Sequence, residues 1–219
     1  YENLKSNFEN VLHDGELENR PLVMAAGALL NYIYDVQKND SAHIAELNVY
    51  TDGQYLDMDI NTRRNLELTE TMRSKEKKGS LLWVLDKTKT AAGARLIRGW
   101  IEHPLLSTSK IALRQGAVGE LFGDYMLREE LSELLSGVFD LERLITKIIY
   151  GTANGKDLRA VSATAACLPD IRNNLEKCRS ERLSGIYAEF DMLADICKMI
   201  NESINEDAPF SIRDGDIIR

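Results

Sequence analysis

The chain predicts a mainly α fold, a multi-helix bundle with a small β-hairpin near residues 47–58 and a strand-like C-terminal tail. Three observations predict it. Apolar residues recur at i, i+3, i+4 and i+7 over most of the chain. Ser, Thr or Asp stands before most of those runs, where a side-chain oxygen can accept from the free N–H groups of a first helical turn. Alternation of period two occurs only around Asp52-Gly53 and near the end.

Pro21 suits a first helical turn, where its missing N–H is not needed, and Leu22, Ala25, Ala26, Leu29, Leu30 and Ile33 keep helical spacing to about Lys38. Leu47 to Tyr50 and Tyr55 to Met58 alternate around Thr51-Asp52-Gly53-Gln54, a hairpin pattern. Asp59 or Asn61 can cap a short helix through Leu68, Ser80 one over Leu81 to Leu85, and Thr90 one that ends before Pro104. Ser107 or Thr108 starts the next, with Ile111, Val118, Leu121 and Phe122 inward; Leu127, Leu131, Leu134 and Leu135 mark another. Asp140 opens Leu141, Leu144, Ile145, Ile148 and Ile149, an unbroken amphipathic series. After Gly151 to Gly155 a helix runs through Leu158, Val161, Ala165 and Leu168 and can continue past Pro169. The spacing of Leu183, Ile186, Tyr187, Phe190, Leu193, Ala194, Cys197, Ile200 and Ile204 predicts the longest helix, about 22 residues or about 33 Å, which a proline at Phe190 is expected to break. Pro209 ends it, and Phe210 to Ile212 with Asp216 to Ile218 give the tail its strand-like pattern.

With 219 residues and 44% hydrophobic residues the chain can bury one domain core. Its 27 Lys and Arg against 35 Asp and Glu give a net charge of −8, which argues against a direct DNA-binding module. A local basic patch is left open at Arg73-Ser74-Lys75-Glu76-Lys77-Lys78, which otherwise reads as a solvated loop. No apolar run of membrane-spanning length and no signal peptide is present, so a cytoplasmic protein is expected. Cys167, Cys178 and Cys197 form no Cys-x-x-Cys pair and read as reduced core residues.

The tests for chemistry fail. Gly151-Thr152-Ala153-Asn154-Gly155-Lys156-Asp157 has its glycines one residue too close for a phosphate-binding loop, and Asp157 stands where a hydroxyl should hold magnesium. His13, His43 and His103 lack the spacing of a metal site, and Asp57 with Asp59 lacks a base or nucleophile to complete a catalytic set. No catalytic, cofactor or metal residue is assigned, and the chain is not expected to be an enzyme.

The run from Leu56 to Thr69, with its Asp-x-x-Thr-Arg-Arg-Asn-Leu-Glu-Leu core, resembles a signature of the MutS DNA mismatch-repair family. Ala25 to Tyr32 resembles the helix that opens the MutS core domain. Ser80 to Pro104 resembles the family's Leu-x-x-x-Leu-Asp-x-Thr…Gly-x-Arg…Trp-x-x-x-Pro stretch, and Val161 to Pro169 and Arg213-Asp214-Gly215 also fit. The signature residues are Asp59, Thr62, Arg63, Arg64, Asn65, Leu66, Glu67 and Leu68. Arg63 and Arg64 either contact phosphate or pair with Glu67 or a carboxylate of a neighbouring helix; Leu66 and Leu68 pack inward; Asn65 caps or bridges backbone groups.

The resemblance implies a core and lever region, with residues 1–19 the end of a connector, 20–58 the opening helix and hairpin of the core, and 59–219 the helical core and lever, cut before the clamp insertion. It places the mismatch-reading domain, DNA clamp and ATPase outside the chain, so ATP and Mg belong to an absent domain. The parent would be a homodimer that meets mismatched duplex DNA through absent domains and has no membrane partner. The start at Tyr1 and the stop at Ile217-Ile218-Arg219 read as an excised piece, and an apolar helix face left uncovered predicts self-association. The alternative is a helical protein-interaction scaffold unrelated to repair.

Overall fold

The computed structural model describes residues 20–37, 53–210 and 215–219. The chain divides into two compact units, residues 1–52 and 53–219. Of the first, the described part is helix α1, Arg20–Gln37, with Pro21 in its first turn and Leu30 buried. Leu29 and Tyr32 are exposed on it.

The second unit is helical: α2 (Ile60–Asn65), α3 (Leu81–Leu85), α4 (Ala91–Glu102), α5 (Thr108–Gly123), α6 (Tyr125–Ser136), α7 (Leu141–Ile149), α8 (Gly155–Glu176), α9 (Glu181–Glu189) and α10 (Ala194–Ser203). Caps explain the starts. Asp59, Ser80, Thr90, Ser107, Asp124 and Asn154 each accept a backbone N–H in the first turn of the following helix. At α8 the cap is reciprocal, since Asp157 reaches back to the Asn154 N–H at 3.1 Å while Asn154 accepts from the Asp157 N–H at 2.9 Å.

α8 is the spine, packing against α6, α7, α9 and α10. It joins two separate cores. Its C-terminal half supplies Ile171 and Leu175 to a cluster with Ala117, Leu127, Leu131 and Leu183. Its N-terminal half supplies Val161 to a second cluster with Leu144, Ile200, Ile204 and Ala208. Between them Thr164 is fully enclosed, its hydroxyl accepting the Phe139 N–H at 3.1 Å and donating to the Ala160 carbonyl at 3.0 Å. At 22 residues α8 is about 33 Å long.

The expected single helix from Leu183 to Ile204 is two helices. Phe190 is the C-cap of α9 with an extended ψ of 110°, the Asp191 carboxylate accepts the Leu193 N–H at 2.9 Å, and Leu193 sits at φ 50° before α10. The apolar spacing survives this break because both helices face α8, so periodicity alone did not reveal the turn. The long rod is α8 instead, continuous through Pro169.

The hairpin arm Leu47 to Tyr50 lies outside the described residues. The other arm finds a different partner: Tyr55 bridges Leu105 antiparallel, with the Leu56 N–H donating to the Pro104 carbonyl at 2.8 Å. In the tail, residues 211–214 likewise lie outside the description, and Ile218 bridges Ile204. The strand-like tail thus pairs with the end of α10, the Asn205 N–H donating to the Ile217 carbonyl at 2.9 Å. α7 also departs from expectation. Leu144 is buried, but Ile145, Ile148 and Ile149 are exposed, so three of the five residues of its apolar stripe are uncovered by described residues.

Candidate functional site

The signature folds as a short capped turn joined to α3. Asp59 accepts the Thr62 N–H at 2.5 Å, which together with the Thr62 hydroxyl holds its carboxyl below the ordinary value. Arg63 folds back, its Nε donating to the Met58 carbonyl at 3.0 Å, and is half-buried; Arg64 and Asn65 are exposed. Neither arginine forms an ion pair with a described residue. Glu67 instead accepts the Met72 N–H at 2.7 Å from a left-handed backbone, φ 48°. That reversal turns Leu66 outward, 59% exposed, and Leu68 inward, so the expectation that both leucines pack inside holds for Leu68 alone. The Glu67 and Leu68 carbonyls accept the Leu81 and Leu82 N–H groups at 3.1 and 2.8 Å, fixing the signature to α3.

Side chains distant in sequence lock this part to the bundle. Arg95 on α4 forks onto Asp140 at 3.1 and 2.8 Å and reaches Glu142 at 2.7 Å. The Arg114 guanidinium of α5 lies 3.8 Å from the centre of the Trp100 ring on α4. Asp140 therefore occupies the N-cap position of α7 without a side-chain cap bond, and pairs instead with Arg143 of that helix at 3.3 Å. Glu120 of α5 accepts the Arg179 and Ser180 N–H groups at 2.5 and 2.8 Å, closing the start of α9 across 59 and 60 residues. On the spine, Asn201 accepts from Arg159 at 2.6 Å and from the buried Ser162 hydroxyl at 2.9 Å, joining α8 to α10 through polar groups. Sequence reasoning missed all four, because each links residues from different helices and carries no local spacing signal.

The Gly151 to Asp157 segment is the α7–α8 turn. Gly151 takes φ 66°, and Asp157 is engaged by Asn154 and by the Lys147 ammonium at 2.7 Å, which keeps its carboxyl low. His103 packs edge-on against Tyr55 with ring centroids 5.9 Å apart; His13 and His43 lie outside the described residues. Among the described residues no group of three or more His, Cys, Asp and Glu side chains is placed to hold a metal ion, and no helix is long and apolar enough to cross a membrane. Cys178 is buried and Cys167 and Cys197 half-buried, all free; burial pushes the Cys178 thiol up.

Residues 61–219 match the family model described as MutS domain III. The chain is 46% identical over 197 residues to the DNA mismatch repair protein MutS of Lachnoclostridium phytofermentans, which covers 90% of this chain and 21% of that protein. It is 47% identical over 197 residues to that of Alkaliphilus oremlandii, covering 90% and 22%, and 42% identical over 223 residues to that of Clostridium perfringens, covering 100% and 24%. The chain thus spans between a fifth and a quarter of the length of these relatives. With the family model covering most of its residues and these identities running along nearly all of it, the chain belongs to the MutS mismatch-repair family, as its domain III segment.

Proposed function

We propose that this chain is the core and lever segment of a MutS mismatch-repair protein, coupling the ATPase of its parent to the DNA clamp without carrying catalytic groups itself. The observation that carries this reading is α8, one helix whose two ends are anchored in separate cores. A shift imposed on one core must either move the rod or break packing at the other, because close-packed interiors do not deform continuously. In this reading residues 1–19 end a connector, 20–58 open the core, and 59–219 form core and lever. ATP and Mg, the mismatch itself and the second subunit of a homodimer meet other domains of the parent, in the cytoplasm. Asp59, Thr62, Arg63, Arg64, Asn65, Leu66, Glu67 and Leu68 serve as a structural joint to α3 rather than as ligands. Family membership leaves no ground for a scaffold unrelated to repair.

The test softens the rod without touching either core. Ala163 and Ala166 are exposed on α8, and Ala163→Gly with Ala166→Gly costs about 1 kcal/mol each in helix propensity. In the intact parent, the ratio of ATP turnover on mismatched to matched duplex should fall toward one while mismatch affinity is kept. An unchanged ratio in a folded variant would refute the lever.

A further inference from the structure

Between Arg73 and Lys89 the sequence holds six cations and two carboxylates, a local net charge of +4 in a chain of net charge −8. The structure brings the two ends of this stretch together. The Lys77 ammonium pairs with Asp86, and the Thr88 N–H and hydroxyl donate to the other Asp86 oxygen at 3.2 and 2.6 Å. The loop before α3 is thereby tied to the turn after it, and Asp86 is fully engaged. Arg73, Lys75, Lys78, Lys87 and Lys89 are all exposed, and none forms an ion pair with a described residue.

The loop has a defined shape. The Thr71 N–H donates to the Glu76 carbonyl at 2.9 Å, the Lys75 N–H to the Thr71 carbonyl at 3.0 Å, and the Thr71 and Ser74 hydroxyls meet at 2.7 Å. Lys75 is held at φ 54° and Gly79 at φ 97°, where an added Cβ would lie 3.1 Å from the Thr71 methyl. A loop already ordered by its own hydrogen bonds presents its cations at a smaller entropy cost on binding.

We propose that this surface, the Arg73–Gly79 loop with Lys87 and Lys89, contacts the phosphate backbone of duplex DNA. A repeating phosphate asks for charge without a side-chain code, and the Arg73–Gly79 loop holds no apolar side chain of its own, the exposed Met72, Trp83, Val84 and Leu85 lying just before it and on α3. The acidity of the rest of the chain does not forbid it, because at physiological salt charges beyond about 8 Å are largely screened. The choice of DNA among polyanions rests on the mismatch-repair reading, but the contact is independent of any lever, and binding by this chain alone is measured separately from coupling in the parent.

The experiment is fluorescence anisotropy of the 219-residue chain with a labelled 30-bp duplex at several salt concentrations. With all five cations on phosphates, log Kd should rise with log salt at a slope of about 4.5, a loss of about 500-fold in affinity between 50 and 200 mM. Lys75→Gln/Lys78→Gln/Lys87→Gln should lower that slope by about one for each cation removed. The control Lys110→Gln/Lys198→Gln, which changes exposed lysines of α5 and α10, should leave it unchanged. Circular dichroism checks that each variant is folded. The proposal is overturned by no measurable affinity at 50 mM salt, by a triple variant that binds like the parent chain, or by polyglutamate displacing the duplex at equal charge concentration, which would name an acidic protein segment as the occupant.

Discussion

Gly155 opens the spine where the C-terminal tail crosses it, and Gly155→Ala tests whether that crossing is as tight as it looks. A Cβ built there lies 2.7 Å from the Ala208 Cβ and 3.1 Å from the Ile217 Cγ2. Ala208 is 1% exposed and belongs to the core at this end of α8, so it has no room to retreat. Overpacking of this kind costs about 1–3 kcal/mol, against at most about 1 kcal/mol gained from alanine's helix propensity, and less than that in a first turn. The net loss should be about 1–2 kcal/mol, or about 3–6 °C in Tm for a chain of this length. Calorimetry on Gly155→Ala, Ala208→Gly and the double variant separates the collision from a general glycine effect. Removing the Ala208 methyl should make the alanine at position 155 less costly by about 1 kcal/mol, a coupling visible in the double-mutant cycle. A Gly155→Ala protein at least as stable as the original, or strictly additive effects, would refute the reasoning.

Glu120→Ala removes the long-range cap on α9 and should cost about 1 kcal/mol near neutral pH. The N–H groups of Ser180 and Arg179 that donate to it lower the Glu120 carboxyl in the folded state. Its contribution is therefore present above the unfolded carboxyl range and disappears as pH falls through the folded value, so the stabilities of the two proteins should converge in acid; a gap constant down to pH 2 would exclude the cap. Asp86, held by Lys77 and then Thr88, titrates at about 2, and Lys77→Gln should move it back toward 3.8; an unmoved carbon-detected NMR titration would disprove the pair. Asn201→Ala leaves Arg159 and buried Ser162 without their common acceptor and should cost about 1–3 kcal/mol. A Tm drop under about 1 °C would mean that the polar link between α8 and α10 contributes nothing.

The helix starts were legible because their cause is local: a Ser, Thr, Asp or Asn side chain three residues before the N–H it satisfies. Thr90 and Ser80 sit at the predicted caps for that reason. What sequence did not reveal depends on partners far away. α7 carries the clearest apolar periodicity, yet Ile145, Ile148 and Ile149 are exposed, since periodicity reports a face and not what covers it. The alternation around Asp52-Gly53 directs Tyr55 toward a hairpin, yet it pairs with Leu105, about fifty residues on, in a contact that no local spacing announces. Within the signature, Leu66 and Leu68 differ only because Glu67 reverses the backbone between them. Glutamate is not a residue that advertises positive φ.

The placement of the rod decides which substitutions can report on coupling. Across Phe190 to Leu193 two helices meet through extended and left-handed residues rather than a continuous helical backbone. Phe190 already has φ −76°, a value proline adopts, and a proline there removes one N–H bond, to the Tyr187 carbonyl at 3.3 Å, along with a ring packed beside the first core. Phe190→Pro would therefore perturb a joint rather than break a rod. In α8 the opposite holds. Pro169 already leaves the Ala165 carbonyl without its helical N–H, yet the helix runs on, because side chains on both sides of the proline are buried: Val161 and Ala165 before it, Ile171 and Leu175 after it. Tertiary packing on both sides thus carries α8 across Pro169, and under the lever reading a variant that loosens Leu175 or Val161 should weaken coupling more than a proline at position 190.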